Sequence, residues 1–250
     1  TCIELGGTMV ATLMLAAPPD ELDMIAGVAI HEMFHVYQAR RPGAWPYSNE
    51  AARFLYPVTD AAVLALRRQE IEALRRAVES ETPAAAAGWA RRALGARRER
   101  FGKLAAELAE YERSLERIEG LAAYVEALAT KRGPSERLDG ERAGEIRLTC
   151  YGTGHALAVL LDRLAPGWKG EFERRLRWLD QELAGALEGM SHVAECEFEP
   201  AELEGIGAWA NEEVARRLEE RRALEEAFAA RPGRRLVVEA AQESPLMLAA

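Results

Sequence analysis

The chain has 250 residues, 49% of them hydrophobic and 29% charged, enough apolar material for one large core or two small ones. Its formal net charge of -9, with arginines interleaved among glutamates, argues against nucleic acid as a partner, because phosphate binding needs positive charge clustered on one face. No apolar run approaches the ~20 residues that span a bilayer and no secretory signal is present, while Cys2, Cys150 and Cys196 imply no disulfide framework and favour a reducing, cytoplasmic compartment without fixing the localisation.

Because it begins at Thr1 and ends on an apolar Leu246-Met247-Leu248, the chain reads as a fragment or a processed form. Residues 2 to 16, centred on Thr8 to Leu15, are β-prone and predict a strand, either a plain structural one or an edge near a substrate. Pro18-Pro19 then opens a helix capped by Asp20 and closed near Arg41-Pro42-Gly43. Met24, Ile25, Val28, Ile30, Met33, Phe34 and Val36 make this helix apolar nearly all round, the pattern of a buried helix.

On that helix stands His31-Glu32-Met33-Phe34-His35. Residues four apart share a helix face, so the two imidazoles can point at one ion, and Glu32 sits beside it without being a ligand. Zinc bound by three protein groups keeps a position for water, acidifies that water and needs a nearby carboxylate to take its proton. Two histidines and a glutamate on a buried helix are costly unless paired or metal-bound, which is the physical argument for Zn2+ here.

An aromatic, proline-rich connection covers 44 to 58, lining a cleft or packing on the core, and a helix follows from Asp60 to Ser80. From Ala84 to Arg132, apolar residues at alternating steps of three and four predict one long helix, or two with a kink near Gly120, whose charge-rich faces are solvated. After a polar loop at 135 to 147, helices are expected at about 150 to 164, 168 to 188 and 203 to 230, and a late strand at Arg235 to Glu239. The predicted fold is mainly α (α+β), with a small edge sheet. It divides into a catalytic region, 1 to 165, carrying a helical pair inserted at about 59 to 117, and a C-terminal helical region, 166 to 250.

The third ligand lies between Glu50, 15 residues after His35, and Glu119, 84 residues after it. With His31-Glu32-Met33-Phe34-His35, the segment Glu119-Gly120-Leu121-Ala122-Ala123-Tyr124 resembles the gluzincin zinc peptidases, the group of thermolysin and the aminopeptidase-N-like enzymes, in which a ligand glutamate opens such a segment. The resemblance favours Glu119, although those enzymes place the glutamate much closer behind the second histidine. Tyr151-Gly152-Thr153-Gly154-His155-Ala156-Leu157 is similar to a motif that begins a later helix in them, which makes Tyr151 the donor to the oxyanion; His155 is one turn further on. Their Gly-x-Met-Glu-Asn strand has only Gly6-Gly7-Thr8-Met9-Val10 here, without the glutamate that grips a free amino end.

The resemblance implies a zincin-like helical core in which His31, His35 and Glu119 bind zinc and Glu32 is the general base, acting on a peptide or protein substrate. Endo- and exopeptidase action stay open, as do other amides and esters. The alternative is a non-catalytic helical protein that binds a partner on a degenerate zincin scaffold.

Overall fold

The computed structural model describes residues 2–13, 22–40, 49–175, 177–190 and 192–233. Gly6 and Gly7, with φ of 58° and 79°, occupy the left-handed region that side-chain-bearing residues avoid, and they turn the chain back on itself. The result is an antiparallel hairpin of β1 (Cys2–Leu5) and β2 (Thr8–Ala11), with Leu5 opposite Thr8, in place of the single strand expected over 2 to 16. The hairpin lies on the first long helix, α1 (Leu22–Ala39), where Arg40 Nη2 donates to the carbonyl of Met9 at 3.1 Å. Asp20, the expected cap of α1, and the strand at Arg235 to Glu239 both lie outside the described residues.

After a single turn, α2 (Ala52–Leu55), the chain builds an antiparallel pair, α3 (Ala61–Glu79) and α4 (Pro83–Phe101). Asp60 starts α3 by accepting from the amides of Ala62 and Val63, and Thr82 starts α4 by accepting from Ala85 with Pro83 in the first turn. Three further elements come next: α5 (Ala106–Leu115), a π-helical turn over Glu116–Gly120, and α6 (Leu121–Thr130). The long helix predicted from Ala84 is therefore broken at 102–105, and the kink expected near Gly120 is instead a widened turn.

Lys131 closes α6 in a left-handed conformation, and two short 3-10 turns occupy the predicted loop. Then come α7 (Ile146–Leu164), α8 (Trp168–Arg175), α9 (Leu179–Glu188) and the 31-residue α10 (Pro200–Ala230). Among the described residues the fold is mainly α with one small two-stranded sheet, the fold class expected from the sequence. No helix among the described residues is long and apolar enough to cross a membrane.

One buried cluster joins Ile71 and Leu74 of α3 to Leu157 and Leu161 of α7 and Leu183 of α9, so the α3–α4 pair shares its core with the later helices. Beneath α3, α4 and α5 lies a charged layer where solvated faces were expected. Arg97 donates to Glu70 and Glu116, Arg100 to Glu70 and Glu112, and Arg67 pairs with Glu112, all six being almost wholly buried. The Tyr56 hydroxyl, from the aromatic connection, donates to Glu112 and accepts from Arg67 and Arg100. Three guanidinium groups face three carboxylates, which is how buried charge is tolerated.

Candidate metal centre

Helix α1 is not buried all round: Met24, Val28 and Met33 are exposed. The face that is covered carries Gly27, His31, Phe34 and Gln38, spaced by four, three and four residues, and it packs on α6. At Gly27 a β-carbon would come within 2.9 Å of the Thr130 methyl and 3.4 Å of Glu126 Cγ, so α1 approaches α6 closely. That approach brings His31 and His35, each 8% exposed, against two carboxylates from the facing chain.

The outer ring nitrogens are fixed first. His31 Nδ1 lies 3.2 Å from Glu126 Oε2, and His35 Nδ1 lies 2.8 Å from Gln38 Oε1. The amide of Gln38 is oriented by donating to the carbonyls of Arg117 and Ile118, so its oxygen must face the ring. Both partners can only accept, and both Nδ1 atoms therefore carry a proton. In the neutral rings the lone pairs are then on Nε2.

Those two Nε2 atoms converge on a single oxygen. Glu119 Oε2 lies 3.3 Å from Nε2 of His31 and 3.3 Å from Nε2 of His35. The three donor atoms lie within 4.8 Å of one another. Zinc bonds of about 2.1 Å in tetrahedral array place neighbouring ligand atoms about 3.4 Å apart, and the two histidine-to-glutamate distances match that spacing. Three lone-pair donors pointing together need a cation between them, a proton or a metal ion. Burial disfavours a charged His31 ring, yet hydrogen bonds to Glu119 and Glu126 outweigh it and hold its pKa above the ordinary value. Burial pushes Glu119 up, but the neighbouring His31, His35 and Tyr151 outweigh it and hold the carboxyl far below its ordinary range.

Glu32 is half-buried, one step round α1 from His31. Tyr151 stacks on the His31 ring at 5.8 Å between centroids, and the Arg147 guanidinium carbon lies 5.9 Å from the Tyr151 ring centroid. Burial and the adjacent Glu119 raise the pKa of that hydroxyl, so it stays a proton donor. Tyr151 also lines a cavity of about 250 Å³ shared with Arg137, Leu148 and Thr149. It stands in the second turn of α7, not at the helix start that the motif resemblance implies. The glycines of that motif serve packing: a β-carbon on Gly154 would meet the Glu116 carbonyl at 2.6 Å and Gly120 Cα at 2.8 Å.

Of the sequence-predicted residues, His31, His35, Glu119 and Tyr151 come together, with Glu32 adjacent on the helix. Glu50 stands outside the donor set, exposed, accepting from Arg147 at 2.6 Å and from Tyr111 at 3.3 Å. His155 is buried against Tyr124, and its Nδ1 meets no hydrogen-bond partner among the described residues. Gln38 and Arg147 are residues that sequence reasoning missed. Gln38 is seven residues from His31 on the histidine face and Arg147 is one turn before Tyr151, so helical spacing carried the signal for both. No protein-family profile, curated protein or solved structure matches this chain.

Proposed function

We propose that the chain is a zinc-dependent hydrolase that cleaves peptide bonds, with His31, His35 and Glu119 as zinc ligands. The observation that carries this reading is the convergence of two outward-anchored histidines on one carboxylate oxygen at 3.3 Å each. The gluzincin resemblance of the His31 to His35 and Glu119 to Tyr124 segments points the same way.

Zinc in such a site supplies Lewis acidity and makes water a nucleophile near neutral pH. The chain's own residues do the rest. Glu32 takes the proton of the attacking water and passes it to the leaving amine. Tyr151 donates a hydrogen bond from its hydroxyl to the oxyanion of the tetrahedral intermediate. Glu126, itself held by Arg137 at 2.6 Å, and Gln38 keep the two rings in the tautomer that presents Nε2.

The test is the zinc content of protein purified without added metal, compared among the native chain, Glu119→Ala and Glu50→Ala, followed by a peptide-cleavage screen. We expect close to one zinc per native chain, a sharp fall in Glu119→Ala and none in Glu50→Ala. A native chain that takes up no zinc even after incubation with the metal would return the protein to the partner-binding scaffold reading.

A further inference from the structure

Glu119 shows different partners to its two oxygens. Oε2 faces both histidines, while Oε1 accepts from Arg147 Nη2 at 2.8 Å. The other terminal nitrogen of that guanidinium, Nη1, donates to Glu50 Oε1 at 2.6 Å, and Glu50 Oε2 accepts from the Tyr111 hydroxyl at 3.3 Å. A chain of contacts thus runs from Tyr111 on α5 through Glu50 and Arg147 to the carboxylate beside the histidines. The side chain of Glu50 is half exposed, so the Arg147–Glu50 pair contributes little to folding by itself. Its geometry has a clearer consequence at Glu119.

We propose that Arg147 is a positioning residue that restricts Glu119 to ligation through Oε2 alone, with Glu50 as its anchor; this rests on the zinc reading above. A carboxylate that turned both oxygens to the ion would fill the coordination position a substrate needs. Arg147 prevents this by engaging Oε1 in a charge-assisted hydrogen bond. The planar guanidinium suits the task, because its two terminal nitrogens reach two carboxylates from different elements at once, as a lysine ammonium cannot with the same rigidity. Glu50, the rival third ligand by sequence spacing, thereby acquires a role one step removed from the ion.

The experiment uses the full chain, Arg147→Leu, Arg147→Lys and Glu50→Gln. For each, the zinc dissociation constant is measured by competition with a chromophoric chelator, the visible spectrum is recorded with cobalt(II), and the metal-free melting midpoint is determined. We expect Arg147→Leu to lose cobalt absorption intensity as Glu119 adds a second oxygen and the coordination number rises, and its zinc affinity to move about 10-fold or more from the native value. Arg147→Lys recovers part of the native spectrum and affinity. Glu50→Gln, at an exposed position, shifts affinity the same way by less and leaves the metal-free melting midpoint in place.

Wild-type zinc affinity and an unchanged cobalt spectrum in Arg147→Leu would overturn the inference and leave the zinc reading standing. Should Arg147→Leu fail to fold, an unaltered affinity and spectrum in Glu50→Gln would do the same. A native chain that binds neither ion would remove both readings, which separates the two failures.

Discussion

At the scale of single residues, the site is a problem of lone pairs. Neutral imidazole has one donor and one acceptor nitrogen, and the outward bonds of His31 to Glu126 and His35 to Gln38 decide which is which. Glu32 is the residue whose role separates chemistry from binding. Glu32→Gln keeps the shape and removes the base, so zinc content is expected to stay at the native level while peptide turnover falls by about 10²- to 10⁴-fold. Native-level turnover in that variant would assign the proton transfer elsewhere. The His31 to His35 pentapeptide was legible in the sequence because its geometry is local to one helix. Gln38 and Arg147 were less so, since a single glutamine or arginine at helical spacing is common without such a role.

At the scale of elements, the π-helical turn at Glu116–Gly120 divides one row of glutamates into two. In an uninterrupted α-helix, Glu112, Glu116, Glu119 and Glu126 would lie along one stripe, with spacings of four, three and seven residues. The extra residue in the widened turn rotates α6 relative to α5. Glu112 and Glu116 thus meet the buried arginines, and Glu119 and Glu126 meet α1. Gly120 and Gly154 let α7 press against that turn, and this gives a stability prediction. Alanine normally gains about 1 kcal/mol over glycine in a helix. At Gly154 its methyl would stand 2.6 Å from a backbone carbonyl that has no room to yield. Overpacking wins, and Gly154→Ala is expected to lower the unfolding free energy by about 1–3 kcal/mol, read from the urea midpoint. A midpoint raised by the substitution would show that the crossing is looser than described.

At the scale of the molecule, buried charge makes stability depend on pH with mixed signs. Burial pushes Glu70 up, but Arg100 and Arg97 outweigh it and bring its pKa to about 2, below its ordinary 4.5. Its stabilising contribution is present above pH 4.5 and is lost as pH falls toward 2. Glu116 is pushed up by burial despite Arg97, and its contribution has the opposite sign. His155 gives the cleaner experiment. Burial, with Arg137 nearby, lowers its pKa from 6.5 to about 4, so the folded state keeps it neutral where the unfolded chain would protonate it. The stability this carries is full above pH 6.5 and disappears as pH falls through about 4. His155→Leu removes the titration and leaves the other groups in place. The stability of the native chain relative to the variant is expected to drop by roughly 3 kcal/mol between pH 7 and pH 4, measured by urea unfolding at each pH. A constant difference across that range would mean that His155 titrates normally in the fold.

The sequence by itself determined what depends on neighbours within a few residues: the helical character, the start of a helix at Asp60, and two histidines and a glutamate on one helix. Each follows from a spacing of 3.6 residues per turn or from a cap reaching the next few amides. Only the tertiary structure decided that Glu119 and not Glu50 meets the histidines, and that six charged residues of α3, α4, α5 and the widened turn face inward. Partners separated by many residues meet through packing and through the register of one turn, and neither leaves a mark on local composition.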